Sequence, residues 1–112
     1  DELILALFDK DKFSFDDKLG EVRVRLQSLM HYDDDEHLLP VSLQGTVRFR
    51  VAWTQLPAEL LEQGTLQLHL QSGVGLKPMD RNGSSDPYVR FSLGGRVQTS
   101  CVVKCNVNPM WD

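Results

Sequence analysis

The strongest constraint on the fold is a repeated two-residue alternation of apolar and polar side chains. It occurs in four segments: Glu21 to Leu26, Val47 to Trp53, Leu66 to Gln71 and Val89 to Leu93. Because successive side chains of a strand point to opposite faces, this pattern predicts four strands with one buried face each. Leu3 to Phe8 is almost continuously apolar, which predicts a strand buried on both faces.

The connections between these segments favour turns over helices. Gly94-Gly95 is a turn pair, and a further β-rich run follows from Val97 to Val103. The acidic run from Tyr32 to Glu36 is predicted to be a solvated loop. Pro57 to Glu62 favours a helix of two turns at most, with Gly64 as its stop. About six short strands without a helical period predict an all-β, antiparallel sandwich with Greek-key connections.

Composition narrows the class of protein further. The chain has 112 residues, of which 41% are apolar and 25% charged, which fits one compact unit. We find no run of eighteen apolar residues and no leader, so a membrane span is not predicted. Twelve basic residues are spread among sixteen acidic ones, with a net charge of −4. This balance does not predict nucleic acid as a partner.

The cysteines and histidines do not predict a metal site. Cys101 and Cys105 lie in a segment predicted as a strand, where residues four apart are separated by about 13 Å. Since that is too far for a disulfide, we expect reduced thiols in a cytosolic protein. A Cys-x-x-x-Cys pair lacks the remaining ligands of a zinc site. No metal-ligand spacing is found among the histidines, His31, His37 and His69.

Two loops are rich in aspartate. One runs from Asp9 to Asp17 and the other from Asp80 to Asp86, each at a predicted strand end. Calcium prefers six to eight oxygen ligands, and Asp9 and Asp11 share a face if their backbone is extended. For either loop alone, solvated acids are an equal alternative. Crowded together, two carboxylates 4 Å apart would repel by about 4 kcal/mol at an effective dielectric of 20, which a cation would relieve.

Other uses of these acids fit less well. Counted from Asp9, positions six and twelve are Ser14 and Gly20 instead of the Gly and Glu of an EF-hand, and counting from Asp80 fails at the same positions. Magnesium usually keeps several waters and takes one or two carboxylates, whereas five acids are available here. No Ser, Cys or His constellation and no glycine-rich phosphate loop accompanies the acids, so an enzyme is not predicted.

The motifs around the acids resemble the C2 domains of synaptotagmins, conventional protein kinases C and extended-synaptotagmin-like membrane tethers. Residues 64–112 resemble the opening half of such a domain through Gly64-Thr65-Leu66, Gly75-Leu76, Asp80, Ser85-Asp86-Pro87-Tyr88-Val89 and Asn108-Pro109-x-Trp111. Residues 1–54 resemble its second half through Leu3 to Phe8, Asp9-Lys10-Asp11, Asp17, Leu19-Gly20-Glu21 and the strand around Val47 to Trp53. Residues 55–63 are then a short connector.

The resemblance implies a set of site residues. The acidic calcium ligands would be Asp80 and Asp86 from one loop, and Asp9, Asp11 and Asp17 from the other. Ser14 falls at a hydroxyl-ligand position, and the main-chain carbonyls of Lys10, Met79 and Phe15 are secondary ligands. Asp16 is expected to be exposed. The residues at the loop tips, expected to meet lipid headgroups or enter the bilayer, are Lys12, Phe13 and Arg81.

The two halves occur in the reverse of the family's order. Two explanations stay open: a circularly permuted C2-type sandwich, or a piece that spans the boundary between two tandem domains. In both cases the strand expected after Trp111 and the lysine-rich strand that many members use for phosphoinositides are missing, so the sandwich is incomplete. We expect the halves to close into one compact unit, within the chain or by strand exchange and self-association.

The resemblance also implies a function. We expect calcium-dependent binding to anionic phospholipids such as phosphatidylserine, with Ca²⁺ as the cofactor, at the cytoplasmic face of a membrane. The parent chain is expected to carry further C2 domains. The alternative is a calcium-independent β-sandwich that binds another protein.

Overall fold

The computed structural model describes residues 2–11, 15–29, 35–55, 64–79 and 85–111. These ranges contain strands and one short helix: β1 (Glu2–Asp9), β2 (Asp17–Arg25), α1 (Leu26–Leu29), β3 (Asp35–Pro40), β4 (Thr46–Gln55), β5 (Gly64–Val74), β6 (Pro87–Leu93) and β7 (Arg96–Thr99). The predicted all-β fold is confirmed. The helix predicted at Pro57 to Glu62 lies outside the described residues. Asp35 and Glu36, the last two residues of the acidic run that was predicted to be a loop, are instead the first residues of β3. This edge strand pairs with β4.

The strands form two antiparallel sheets. Sheet A has the order β2-β1-β6-β7, and sheet B has the order β3-β4-β5. Each sheet joins distant parts of the chain, because β1 pairs with β6 through Leu7 opposite Val89, and β4 pairs with β5 through Val51 opposite Leu68. In both sheets, strands of residues 1–54 therefore pair with strands of residues 64–112.

The described residues form one buried cluster between the sheets. The inward side chains of β1 (Leu3, Leu5, Leu7) and of β4 (Val47, Phe49, Val51) belong to it, as the alternation predicts. Among the side chains that the structure describes, Phe49 is the largest that is fully buried. The outward residues of β1 are half-buried, so this strand is covered on one face and only partly on the other. No helix in the described part of the chain is long and apolar enough to cross a membrane.

The segment after β7 differs from the sequence prediction. The run predicted from Val97 to Val103 is a strand only as far as Thr99, and Cys101 and Cys105 lie in the irregular stretch beyond it as exposed free thiols. The distance argument against a disulfide, which assumed an extended strand, is therefore wrong. The backbone leaves the strand path because it bonds elsewhere: Val103 N–H donates to the carbonyl of Pro87 at 3.1 Å.

Candidate metal centre

One end of sheet A brings the two aspartate loops together. β1 ends at Asp9, which lies opposite Asp17, the first residue of β2, and opposite Pro87, the first residue of β6. Asp86 directly precedes Pro87. Because neighbouring strands are about 4.8 Å apart, Asp17 at the end of one loop and Asp86 at the end of the other both lie about one strand spacing from Asp9. The described parts of the two loops thus lie at the same end of the sheet.

Hydrogen bonds fix Asp9 to Asp86. The Asp9 side chain is 1% exposed, and its Oδ1 accepts the Asp86 N–H at 2.8 Å. In return, the Lys10 N–H donates to the Asp86 carbonyl at 3.0 Å. A buried carboxylate is costly unless it is hydrogen-bonded or paired with a cation. The register of β1 and β6 therefore holds two acids that are 77 residues apart in the sequence in direct contact.

The Asp86 carboxylate also organises the segment after β7. Its Oδ1 accepts the Cys105 N–H at 2.7 Å. Cys105 has a φ of 53°, in the left-handed region that non-glycine residues rarely adopt. The Asn106 N–H bonds to the Ser85 carbonyl at 2.9 Å. These contacts bring the Cys105 turn beside the candidate centre, and nothing in the sequence pattern indicated it.

The resemblance led us to expect an exposed Asp16, but the structure shows that this side chain is largely covered. Its side chain is 19% exposed. Its Oδ1 accepts the Asp11 N–H at 2.8 Å, and its Oδ2 accepts the Tyr88 hydroxyl. The Lys10 ammonium lies 3.8 Å away. The Tyr88 hydrogen bond, followed by the Asp11 amide, holds the pKa of the Asp16 carboxyl below its ordinary value, although burial acts against them.

Tyr88 anchors this contact in the sheet. Its ring stacks on Phe8 of the neighbouring strand, with centroids 5.6 Å apart. Burial, and then the hydrogen bond to Asp16, raise the pKa of the Tyr88 hydroxyl from 10.0 to about 12. The neutral phenol is the form that the folded chain stabilises.

The raised pKa of Tyr88 predicts a late phenol titration. Absorbance at 295 nm is expected to show a tyrosine step near pH 12 that is absent from Tyr88→Phe. Because the folded pKa lies above the unfolded one, the stability contributed by this group is complete below pH 10 and is lost as pH rises towards 12. Asp16→Ala should move the step towards pH 10 without reaching it, since burial is the larger cause. A Tyr88 step already near pH 10 in the unaltered chain would contradict this assignment.

The donor chemistry of this end of the sheet fits calcium. Asp9, Asp17 and Asp86 offer hard oxygen donors. Asp11, two residues after Asp9, is half-buried, and Asp17 is exposed. Within the described ranges, however, no three Asp, Glu, His or Cys side chains are grouped so that they could hold an ion. The predicted site residues Lys12, Phe13, Ser14, Asp80 and Arg81 lie outside those ranges. Met79 is exposed at the edge of the described part.

Comparison with known proteins decides the family. The model of the C2 domain family matches residues 1–41 and 64–112, most of the chain. The chain belongs to the C2 domain family. Calcium and phospholipid binding are typical of that family. The match leaves out residues 42–63, which include β4.

Two relatives show what this C2 domain is similar to. The Multiple C2 and transmembrane domain-containing protein of Drosophila melanogaster is 50% identical over 48 residues, which is 42% of this chain and 5% of that protein. Ras GTPase-activating protein 4 of Mus musculus is 31% identical over 114 residues, which is 95% of this chain and 14% of that protein. The second alignment runs through both halves, so that relative has them in the same order. No solved structure gives a significant match.

Proposed function

We propose that this C2 domain binds anionic phospholipid membranes, such as those containing phosphatidylserine, when calcium is bound at the end of sheet A. The observation that supports this most directly is the contact between Asp9 and Asp86, which joins the two aspartate loops. Membership of the C2 family supports it as well. The chain spans 14% or less of the two relatives described above. The relative named for multiple C2 and transmembrane domains supports a parent chain with further C2 domains, which would act at a membrane.

The residues that would hold calcium are the predicted set. The carboxylates are Asp9, Asp11, Asp17, Asp80 and Asp86, with the Ser14 hydroxyl and the carbonyls of Lys10, Met79 and Phe15 as further oxygen donors. Bound calcium would neutralise these carboxylates and offer remaining coordination positions to lipid phosphate or carboxylate oxygens. Without it, the acids repel an anionic membrane surface, which makes binding conditional on the ion.

Side chains beside the site would contact the membrane directly. Lys12 and Arg81 would each contribute about 1 kcal/mol near an anionic surface. Phe13 was predicted to enter the bilayer. Phe15, for which only a carbonyl role was predicted, has a ring that is 96% exposed on the same loop. Burial of such a ring in lipid is worth about 1.5 to 3 kcal/mol, so we add Phe15 to the membrane-contacting residues.

Vesicle sedimentation tests the proposed function. The chain is expected to sediment with phosphatidylserine vesicles in calcium, and to stay in the supernatant in chelator or with phosphatidylcholine vesicles. A calcium concentration a hundred times the dissociation constant should raise the free energy of unfolding by about 2.7 kcal/mol. Equal sedimentation in calcium and in chelator would rule the proposal out.

Phe15→Ser is expected to weaken vesicle binding about tenfold, because it removes about 1.4 kcal/mol or more of apolar burial in the bilayer. Calcium affinity without vesicles should stay unchanged. Val97→Ser is the matched control, since Val97 is 58% exposed but pairs with Ser92 of β6, away from the aspartate end. Equal vesicle affinities for the two variants would contradict membrane contact by Phe15.

The second candidate function is a calcium-independent interaction with another protein. The outer edge of β5 supports it. Met110 pairs there opposite Ser72, with backbone hydrogen bonds from Gly73 to Pro109 and from Trp111 to Gln71, so this edge already accepts a short extended piece of chain. A groove of about 650 Å³ opens beside this strand, lined in part by Leu66, Leu68 and Leu70. β5 contains no Lys, Arg, Asp or Glu, the residues that usually protect a sheet edge. A flat calorimetric titration with calcium, together with concentration-dependent self-association, would favour this function.

A further inference from the structure

The Asp16 carboxylate joins the aspartate loop to sheet A. One of its oxygens accepts the Asp11 N–H at 2.8 Å, and the other accepts the hydroxyl of Tyr88 on β6. Asp11 and Tyr88 are thus held by the same side chain, although they are 77 residues apart in the sequence. We call this set of contacts, formed by Asp11, Asp16 and Tyr88, the loop latch.

We propose that Asp16 is a positioning residue, which holds the Asp11 backbone in the orientation from which the Asp11 carboxylate joins the proposed calcium site, and that Asp16 does not bind the ion itself. This inference rests on the proposed calcium function. The inference gives Asp16 a role of its own. The family resemblance selects its neighbour Asp17, and not Asp16, as a ligand.

The surroundings of Asp16 favour positioning over direct binding. Both of its oxygens already accept hydrogen bonds, and the Lys10 ammonium lies 3.8 Å from Oδ2, where a metal ion would meet a like charge. At 19% exposure, its side chain is more covered than that of an ordinary surface acid. A carboxylate with these partners is better placed to fix the loop than to bind an ion.

The other end of the latch is packed against side chains of sheet A. The Tyr88 ring stacks on Phe8 at an interplanar angle of 22°, and the Arg90 guanidinium lies 4.8 Å from the centre of the Phe8 ring. Phe8 and Tyr88 are register partners on β1 and β6, the two central strands of sheet A, next to the aspartate end. The Tyr88 hydroxyl therefore presents a fixed point to the loop. A loop ordered before the ion arrives loses less conformational entropy on binding, which raises affinity.

Three variants separate positioning from direct binding. Asp16→Ala removes both hydrogen bonds, whereas Asp16→Asn can keep both, because its carbonyl accepts from Asp11 and its amide donates to the Tyr88 oxygen. Tyr88→Phe keeps the ring stack and removes one bond. By calorimetry, calcium affinity is expected to fall about tenfold in Asp16→Ala, about threefold in Tyr88→Phe, and by less than threefold in Asp16→Asn.

Amide hydrogen exchange without calcium provides an independent measurement. The Asp11 N–H should be protected in the unaltered chain and in Asp16→Asn, and should exchange at least about tenfold faster in Asp16→Ala, with the core of β1 unchanged. Equal affinities and exchange rates in Asp16→Ala and the unaltered chain would overturn the proposal. An Asp16→Asn affinity as low as that of Asp16→Ala would overturn it in favour of direct binding.

The two proposals fail in different ways. If the unaltered chain binds no calcium, the proposed function fails and the role of Asp16 towards the ion fails with it. In that case the exchange measurement still decides whether the loop latch exists. If calcium binds and the Asp11 N–H is unprotected in the unaltered chain, the latch is refuted and the proposed function stands.

Discussion

Replacing Asp9 by Asn is expected to lower calcium affinity at least about a hundredfold, which corresponds to about 2.8 kcal/mol, and to abolish calcium-dependent sedimentation with phosphatidylserine vesicles. Asp9 lies on the central strand of the site, between Asp17 and Asp86. The substitution therefore removes a negative charge and one oxygen donor from the strand that lies between those two acids. Calorimetry and vesicle sedimentation measure the two effects.

The same substitution should leave the fold intact. The Asn carbonyl can accept the Asp86 N–H as the carboxylate does now. In chelator, Asp9→Asn is expected to unfold at the same temperature as the unaltered chain or higher, because it relieves repulsion among neighbouring carboxylates. If Asp9→Asn is at least as stable as the unaltered chain in chelator and does not bind calcium, then Asp9 is a calcium ligand and not a residue that the fold requires.

Glu2→Gln is the matched control for Asp9→Asn. It makes the same change of charge on the same strand, at the opposite end, where Glu2 is exposed and lies 3.5 Å from Arg23. Its calcium affinity should stay within about twofold of the unaltered chain, since an exposed ion pair contributes little. If the two variants lose affinity equally, net charge and not a site at Asp9 governs calcium binding.

Phe49→Ala is expected to destabilise the fold by about 3 to 5 kcal/mol, a large part of the stability of a small domain. Phe49 is fully buried on β4, in the cluster that also contains Leu5 of β1 and Val89 of β6. Because this cluster joins strands of both halves, the loss should appear in a single transition. Urea unfolding followed by circular dichroism and by tryptophan fluorescence measures it.

Leu43→Ala is the control for Phe49→Ala. Leu43 is a large apolar side chain that is 58% exposed between β3 and β4, so its truncation should change stability by about 0.5 kcal/mol or less. Coincident transitions with both probes, shifted together by Phe49→Ala, would support the proposal that residues 1–54 and 64–112 fold as one unit. Two separate transitions, of which Phe49→Ala moves only one, would contradict it.

The sequence predicted the parts of the fold that depend on local pattern. The alternation around Val47 to Trp53 assigned Phe49 to the core, because a strand with one buried face needs an apolar residue at every second position. β3 has no such alternation and was missed. It is a strand because β4 offers it hydrogen-bonding partners from Thr46 to Val51, a property of the neighbour and not of its own residues.

The candidate site was predictable in its acids but not in their contacts. Spacing and resemblance named Asp9 and Asp86, and sheet A brings these two into direct contact. The resemblance named Asp17 as a ligand and placed Asp16 in the solvent, because a local motif does not show a contact with a distant residue. Asp16 is distinguished by Tyr88, 72 residues away, whose position depends on the pairing of β1 with β6.

The sequence alone therefore determined the sandwich class, the inward side chains and the two loops that carry the acids, since these follow from residue type and a period of two. The tertiary structure decided that both loops leave the same end of sheet A, that Asp86 holds the Cys105 turn, and that Asp16 bonds to Tyr88. Those outcomes depend on the register between strands that are distant in the chain, and a one-residue change of register would move each of these contacts.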